Sequence, residues 1–142
     1  MAIQHISSLS EDPDKQRTTG TQTRAVLVAT ADASMLSRCV EALSATGIDI
    51  EQAECGVEAL KVARKIRPEL ILIDMELRDV NGFELARWLR SDPTMRSVPI
   101  IAFSAYTADQ RDPRANELGL LAVLRKPVRA GDVDAWVRRA IH

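Results

Sequence analysis

The sequence has little of what marks several large classes of protein. It holds only two cysteines, Cys39 and Cys55, and their spacing matches no metal-ligand motif. Both fall in apolar segments, so we expect two reduced, buried thiols in a cytoplasmic protein. No apolar run reaches transmembrane length, and the first residues lack the charged-then-apolar pattern of a signal peptide.

The sequence also lacks an excess of positive or of negative charge. The net charge at pH 7 is −1, so the composition gives no basic field that would attract nucleic acid or a membrane surface. The hydrophobic share of the 142 residues is 46%, which is typical of a globular domain and too high for a disordered chain. We therefore expect one folded domain that binds neither nucleic acid nor membranes.

The chain divides into two parts of different composition. Residues 1–23 are rich in polar and charged residues and lack sustained periodicity, which predicts a flexible N-terminal extension. The folded domain is predicted to occupy residues 24–142.

Five short apolar runs alternate with amphipathic segments along this domain. The runs span residues 25–29, 48–53, 70–73, 98–104 and 120–124. The second is the least apolar and is predicted to lie at a sheet edge. This alternation predicts an α/β fold of the flavodoxin-like type, in which a five-stranded parallel sheet of order 2-1-3-4-5 has helices on both faces.

Three polar side chains follow successive strands of the predicted sheet. Asp74 directly ends the third apolar run, Ser104 ends the fourth, and Lys126 follows the fifth. Each taken singly has an ordinary explanation as a strand end, a loop serine or a solvated lysine. Because the carboxyl ends of parallel strands meet at one edge, we expect the three to share a site. A carboxylate, a hydroxyl and an ammonium together are typical of phosphate chemistry.

These residues and their neighbours resemble the receiver domain of two-component response regulators. The resemblance runs from about residue 24 to residue 141 and rests on Asp74 after its apolar strand, Asn81-Gly82, the segment 99–105, and Lys126 followed by proline. It implies that Asp74 is the phosphoacceptor for a histidine kinase, that Ser104 contacts the phosphoryl group, and that Lys126 pairs with it.

The resemblance fails at the metal site. Receiver domains carry an acidic pair straight after the first strand, whereas this chain has Thr30 and Ala31. Asp32 lies one residue too late and is better explained as a helix cap. Asp74 and the backbone carbonyl of Glu76 remain as metal ligands, which is a poor set for Mg²⁺. We therefore expect no resident cofactor and at most weak Mg²⁺ binding.

The side chains around Asp74 lead to two further expectations. We expect a solvated side chain at Glu76, and we expect Asp74 and Lys126 to neutralise each other without a metal.

The output side of the family pattern is also altered. Val123 stands where receiver domains often have an aromatic switch residue, and Tyr106 is the candidate to replace that switch. A long loop over residues 105–112 and a short helix from Pro113 are predicted to follow Ser104. The last strand and helix offer a surface through which a homodimer could form.

We therefore hypothesise a non-enzymatic receiver domain in phosphorelay signal transduction that is degenerate at its metal site and acts by contact with a histidine kinase or another signalling protein. The first alternative is a conventional receiver, phosphorylated on Asp74, in which Glu76 or Asp32 replaces the acidic pair. The second is a small-molecule or flavin-binding domain, against which the lack of a glycine-rich phosphate loop after the first strand argues.

Overall fold

The computed structural model describes residues 24–141, so the predicted extension over residues 1–23 and the last residue lie outside the described part. Strands and helices alternate as the sequence predicts. In chain order they are β1 (Ala25–Ala29), α1 (Ala33–Leu43), β2 (Asp49–Ala53), α2 (Gly56–Ile66), β3 (Leu70–Asp74), α3 (Gly82–Ser91), β4 (Ile100–Ser104), α4 (Thr107–Gln110), α5 (Pro113–Glu117), β5 (Ala122–Arg125) and α6 (Ala130–Ala140).

The five strands form one parallel sheet in the order β2-β1-β3-β4-β5, which confirms the predicted topology. Every residue of β1, β3 and β4 is buried, as continuous apolar runs require when both faces of a sheet are covered. The less apolar strand β2 lies at one edge, as expected, and β5 lies at the other.

Alternate residues of each inner strand face opposite helix layers. On one face, Leu27, Ile71 and Ile73 pack in a core with residues of α2 and α3. On the other face, Leu72 and Phe103 pack in a second core with residues of α1 and α6. The helices therefore cover both faces, and the third strand, β3, lies at the centre of both cores.

Side-chain caps fix where three of the helices begin. Asp32 Oδ1 accepts hydrogen bonds from the Ser34 N–H at 2.9 Å and the Met35 N–H at 3.3 Å, and so caps α1. Asn81 caps α3 and Asp112 caps α5 through the same kind of bond. The interpretation of Asp32 as a helix cap is confirmed.

The segment after β4 differs from its predicted form. Residues 105–112 were expected to be a long loop, but they contain the one-turn helix α4. The side chain of Gln110, at the end of α4, donates a hydrogen bond of 3.1 Å to the Val123 carbonyl of β5. Neither α4 nor α5 has a buried residue, so both helices are held mainly at their ends.

The guanidinium of Arg90 holds the far end of this segment and was not foreseen from the sequence. It donates to the Leu118 carbonyl at 2.7 Å and the Gly119 carbonyl at 3.2 Å, directly after α5. It also donates to three carbonyls in the approach to β4, those of Met95, Arg96 and Val98. A single planar cation thus donates to five backbone carbonyls and joins the end of α5 to the approach to β4.

The two cysteines differ in their environment. Cys39 is buried on α1, and burial raises the pKa of its thiol to about 12. Cys55 is only half-buried, because it precedes α2 at the surface, so the expectation of two buried thiols is wrong for this residue. Both thiols are free, as expected. Over residues 24–141, the helices are too short or too polar for any of them to cross a membrane.

Replacing Ile73 with alanine tests the packing of the central strand. Ile73 is 1% exposed on β3, so Ile73→Ala is expected to lower the free energy of unfolding by about 2–5 kcal/mol. Val57 is 49% exposed, so Val57→Ala is the matched control and should change that free energy by less than about 0.5 kcal/mol. Equal denaturant midpoints for the two variants would contradict the placement of β3.

Amide hydrogen exchange tests the stability of the segment from residue 105 to residue 118. We expect its backbone amides to exchange faster than those of β3, because α4 and α5 bury no residue while β3 is buried throughout. Leu118 itself is buried and bonded to Arg90, so protection should rise again there. Protection across residues 105–117 as strong as in β3 would show that the segment is anchored in another way.

Candidate functional site

Asp74 is the last residue of the central strand, and it is buried with 4% of its surface exposed. Its carboxylate accepts three hydrogen bonds. Oδ2 accepts from the Thr30 hydroxyl at 2.8 Å, and Oδ1 accepts from the Glu76 N–H at 2.9 Å and from Lys126 Nζ at 2.6 Å. Both carboxylate oxygens are thus engaged, and the donors come from the carboxyl ends of β1, β3 and β5.

Lys126 reaches this carboxylate because it directly follows β5, with its N–H bonded to the Ser104 carbonyl at 2.8 Å. Its ammonium donates to Asp74 Oδ1 and also, at 2.8 Å, to Glu76 Oε1. Partial burial lowers the pKa of Lys126. The hydrogen bonds to the two carboxylates raise it by more than burial lowers it, so the pKa lies above its usual value. The lysine is therefore a cation throughout the neutral pH range.

Thr30 occupies the first position of the missing acidic pair, and it has a direct role at the site. The residue is fully buried, its hydroxyl donates to Asp74, and the same oxygen accepts from the Asp32 N–H at 3.0 Å. The second position, Ala31, is exposed and has no ligating atom in its side chain. A neutral hydroxyl thus takes the place next to Asp74 where the family has a carboxylate.

The side chain of Glu76 is not simply solvated, and the expectation from the sequence is wrong on this point. Glu76 Oε1 accepts from Lys126 Nζ at 2.8 Å and from the Ala105 N–H at 3.1 Å, and Oε2 lies 3.4 Å from Ser104 Oγ. The side chain therefore folds back across the ends of β4 and β5. It does so because an ammonium and an unpaired backbone N–H lie within its reach.

Ser104 ends β4 and lies at the same sheet edge, as predicted, but its main partner was not foreseen. Its hydroxyl donates a short hydrogen bond to the carboxylate of Asp109, on α4, and accepts one from the Tyr106 N–H at 2.9 Å. Periodicity gave no signal for Asp109, because its position depends on the unpredicted helix α4. A carboxylate five residues after Ser104 within a polar loop was the only clue.

The charge balance also differs from the expected neutral pair. The Lys126 ammonium is shared by the carboxylates of Asp74 and Glu76, and a third carboxylate, that of Asp109, is bonded to Ser104 at the same edge. The nearby guanidinium of Arg114 is bonded to Asp112, which raises the pKa of Arg114, and the charge of Asp109 adds to that rise. The site therefore has more negative charge than the sequence predicted.

These carboxylates differ from the ligand set that Mg²⁺ prefers. Within residues 24–141 no three His, Cys, Asp or Glu side chains are placed so that they could hold one ion together. Both oxygens of Asp74 already accept hydrogen bonds, one from a hydroxyl and one from an ammonium, and Mg²⁺ needs free carboxylate oxygens and several waters. The donor set thus does not fit the metal that receiver domains use.

Tyr106 lies at the border between the site and the surface. The Tyr106 N–H donates to Ser104 Oγ, whereas the residue as a whole is 62% exposed. Together with Asp109 and Arg114 it lines an open cavity of about 410 Å³ beside the site. The guanidinium of Arg114 closes one wall of this cavity, lying 4.1 Å over the ring of Phe83.

The model of one protein family, described as the response regulator receiver domain, matches residues 26–138 of this chain. The chain belongs to this receiver domain family. It is 36% identical over 86 residues to the polar-differentiation response regulator DivK of Brucella anthropi, an alignment that covers 61% of this chain and 70% of that protein. The DivK protein of Brucella ovis is 35% identical over the same shares of the two chains.

Solved receiver structures have the same fold. The chemotaxis response regulator CheY4 of Vibrio cholerae superposes with a TM-score of 0.76 at 24% identity, over 84% of this chain and 99% of that one. A response regulator from Desulfuromonas acetoxidans gives a TM-score of 0.71 at 28% identity, over 83% and 96% of the two chains. The protein is thus a receiver domain of two-component signalling, a class of module that interacts with protein partners such as kinases.

Replacing Thr30 with valine tests the hydrogen bond between its hydroxyl and Asp74. The change keeps the shape of the side chain but removes a donor from a buried carboxylate, so we expect the free energy of unfolding to fall by about 1–3 kcal/mol. Thr107 is exposed at the start of α4, so Thr107→Val is the matched control and should have a much smaller effect. Equal chemical-denaturation curves for the two variants would show that the hydroxyl does not stabilise Asp74.

Proposed function

We propose that this receiver domain is degenerate at its metal site and signals by protein contact, without depending on phosphorylation of Asp74. The observation that carries the proposal is the set of partners of Asp74. A hydroxyl and an ammonium bind its two oxygens, where the family pattern would place a metal held by an acidic pair. Asp74, Ser104 and Lys126 keep the positions of the phosphoacceptor, the phosphoryl contact and the paired lysine.

The charge of the site supports this proposal. Transfer of a phosphoryl group to Asp74 would bring further negative charge beside Glu76 and Asp109. In metal-dependent phosphoryl chemistry a divalent ion neutralises that charge. Here Lys126 is the cation in contact with Asp74, and it is already shared between two carboxylates. Loading the site without a metal is therefore electrostatically unfavourable.

The conventional receiver, phosphorylated on Asp74 by a histidine kinase, is the second candidate. It is favoured by one observation, the presence of Glu76 and Asp109 as extra carboxylates beside Ser104. To serve as a ligand, Glu76 would have to give up its bonds to Lys126 and Ala105. Asp32 would have to abandon the cap of α1. No feature of the site favours the small-molecule or flavin-binding alternative.

The partner surface that we propose lies next to the site. Tyr106 is 62% exposed just after the carboxyl end of β4, and it lines the open cavity beside the site. We propose that a kinase or another signalling protein reads this surface, with Tyr106 as the residue that responds to the state of the site. The homodimer through β5 and α6 stays a prediction, for which the position of β5 at the edge of the sheet is the supporting observation.

Incubation with acetyl phosphate and millimolar Mg²⁺ tests the proposal directly. We expect little acyl phosphate at Asp74 and no saturable Mg²⁺ binding, because Thr30 and Ala31 supply no carboxylate. Mass spectrometry measures the phosphorylation, with Asp74→Asn as the unreactive control. The double variant Thr30→Asp/Ala31→Asp should gain Mg²⁺ binding, measured by titration calorimetry, if two carboxylates there can bind the ion beside Asp74.

Tight Mg²⁺ binding and stoichiometric labelling of Asp74 in the unmodified chain would overturn the proposal. The conventional phosphoacceptor would then take its place. Addition of beryllofluoride with Mg²⁺ gives a second, independent readout, since it forms a phosphoryl-like adduct only on a receiver whose metal site works.

A further inference from the structure

The carboxylate of Glu76 lies in a cradle made of two different donors. Lys126 Nζ and the Ala105 N–H both donate to Oε1, at 2.8 and 3.1 Å, and Ser104 Oγ lies 3.4 Å from Oε2. An ammonium and a backbone amide that converge on one carboxylate oxygen form an oxyanion site, whereas the nearby Ser104 hydroxyl donates to Asp109. In this chain the oxyanion is part of the protein.

This cradle is directly beside Asp74. Lys126 Nζ bridges the two carboxylates, because it donates to Asp74 Oδ1 at 2.6 Å and to Glu76 Oε1 at 2.8 Å. The Glu76 backbone is tied to the same place, since its N–H donates to Asp74 Oδ1. An anion that approached Asp74 would therefore find its hydrogen-bond donors, Lys126 and the Ala105 N–H, already occupied by the Glu76 carboxylate.

The side chain of Glu76 is 31% exposed and that of Lys126 is 19% exposed, so the contact lies at the mouth of the site and not in the core. A glutamate at this depth can swing into solvent without opening a cavity. The Glu76 carboxylate can thus leave its position, and an external anion could bind there only after it has left.

We propose that Glu76 is a built-in anionic ligand that occupies the phosphoryl position next to Asp74 and holds the segment 104–106 in one conformation without phosphorylation. The inference rests on the proposed function, because it takes the cradle beside Asp74 to be the phosphoryl position. It goes beyond that function by naming the group that fills the position and excludes external phosphate. Glu76 is a positioning residue here and takes no part in bond making.

A binding experiment that cannot involve phosphorylation tests the inference. Asp74→Asn removes the phosphoacceptor and its charge, and Asp74→Asn/Glu76→Ala also empties the cradle. Inorganic phosphate is titrated into both, with the ¹⁵N chemical shift of Ala105 as the readout. We expect the double variant to bind phosphate at least about tenfold more tightly than Asp74→Asn, because Lys126 and the Ala105 N–H become available.

The control carries the same loss of charge at another place. Glu41 is exposed on α1, so Asp74→Asn/Glu41→Ala should bind phosphate no better than Asp74→Asn alone. Adding Lys126→Met to the Asp74→Asn/Glu76→Ala variant should abolish the gain. Equal phosphate affinity with and without Glu76 would overturn the inference, as would a gain that survives the loss of Lys126.

Hydrogen exchange in the chain with Asp74 intact gives the second readout. The Ala105 amide should be protected in the unmodified protein and exchange at least about tenfold faster in Glu76→Ala, which is the change expected for loss of a charge-assisted hydrogen bond. Glu76→Gln keeps an acceptor without the charge and should retain part of the protection. An unprotected Ala105 amide in the unmodified protein would contradict the inference by itself.

The two proposals fail in different experiments. Labelling of Asp74 by acetyl phosphate in the unmodified chain would overturn the metal-independent function, whatever the phosphate titration shows. A failed phosphate titration would remove the role of Glu76 and leave the argument about Thr30 and Ala31 intact.

Discussion

A buried carboxylate at the end of the central strand is the constraint on which the site depends. The position of Asp74 follows from the sheet, but a charge that is 4% exposed is stable only if donors compensate it. The donors come from Thr30 after β1, from the backbone after β3 and from Lys126 after β5. The strand order that brings these strand ends together thus also supplies the donors that stabilise the buried charge of Asp74.

Loss of the acidic pair changes how this charge is compensated. With a threonine at position 30, the neighbour of Asp74 is a neutral donor that stabilises the carboxylate, whereas a second carboxylate would repel it. On that side Asp74 therefore faces a hydroxyl and no like charge. The remaining excess lies on the other side, where Glu76 and Asp109 are held by Lys126 and by the hydroxyl of Ser104.

The features of the fold that depend on apolar periodicity and on strand ends could be predicted from the sequence. The contacts that depend on side-chain conformation could not. Buried runs and their alternation with helices leave few possible strand orders, and the flavodoxin-like order that the structure has brings Asp74, Ser104 and Lys126 to one edge. The expectation of a solvated Glu76 failed because spacing does not reveal which backbone N–H groups are left unpaired within reach of a side chain. Asp109 was missed because α4 buries no residue and so has no apolar pattern to detect.

The lack of buried residues in α4 and α5 also bears on how the site is connected to the surface. Because α4 and α5 bury no residue, polar contacts supply much of what orders the segment after β4. Two of these contacts start at the site itself, from Ser104 to Asp109 and from Ala105 to Glu76. Tyr106 lies between them and is largely exposed. If Glu76 left the cradle, as we propose it can, Tyr106 would lose the support of a contact that lies one residue away in the chain, at Ala105. In the proposed function, this short path would let the site signal by protein contact without movement of the sheet.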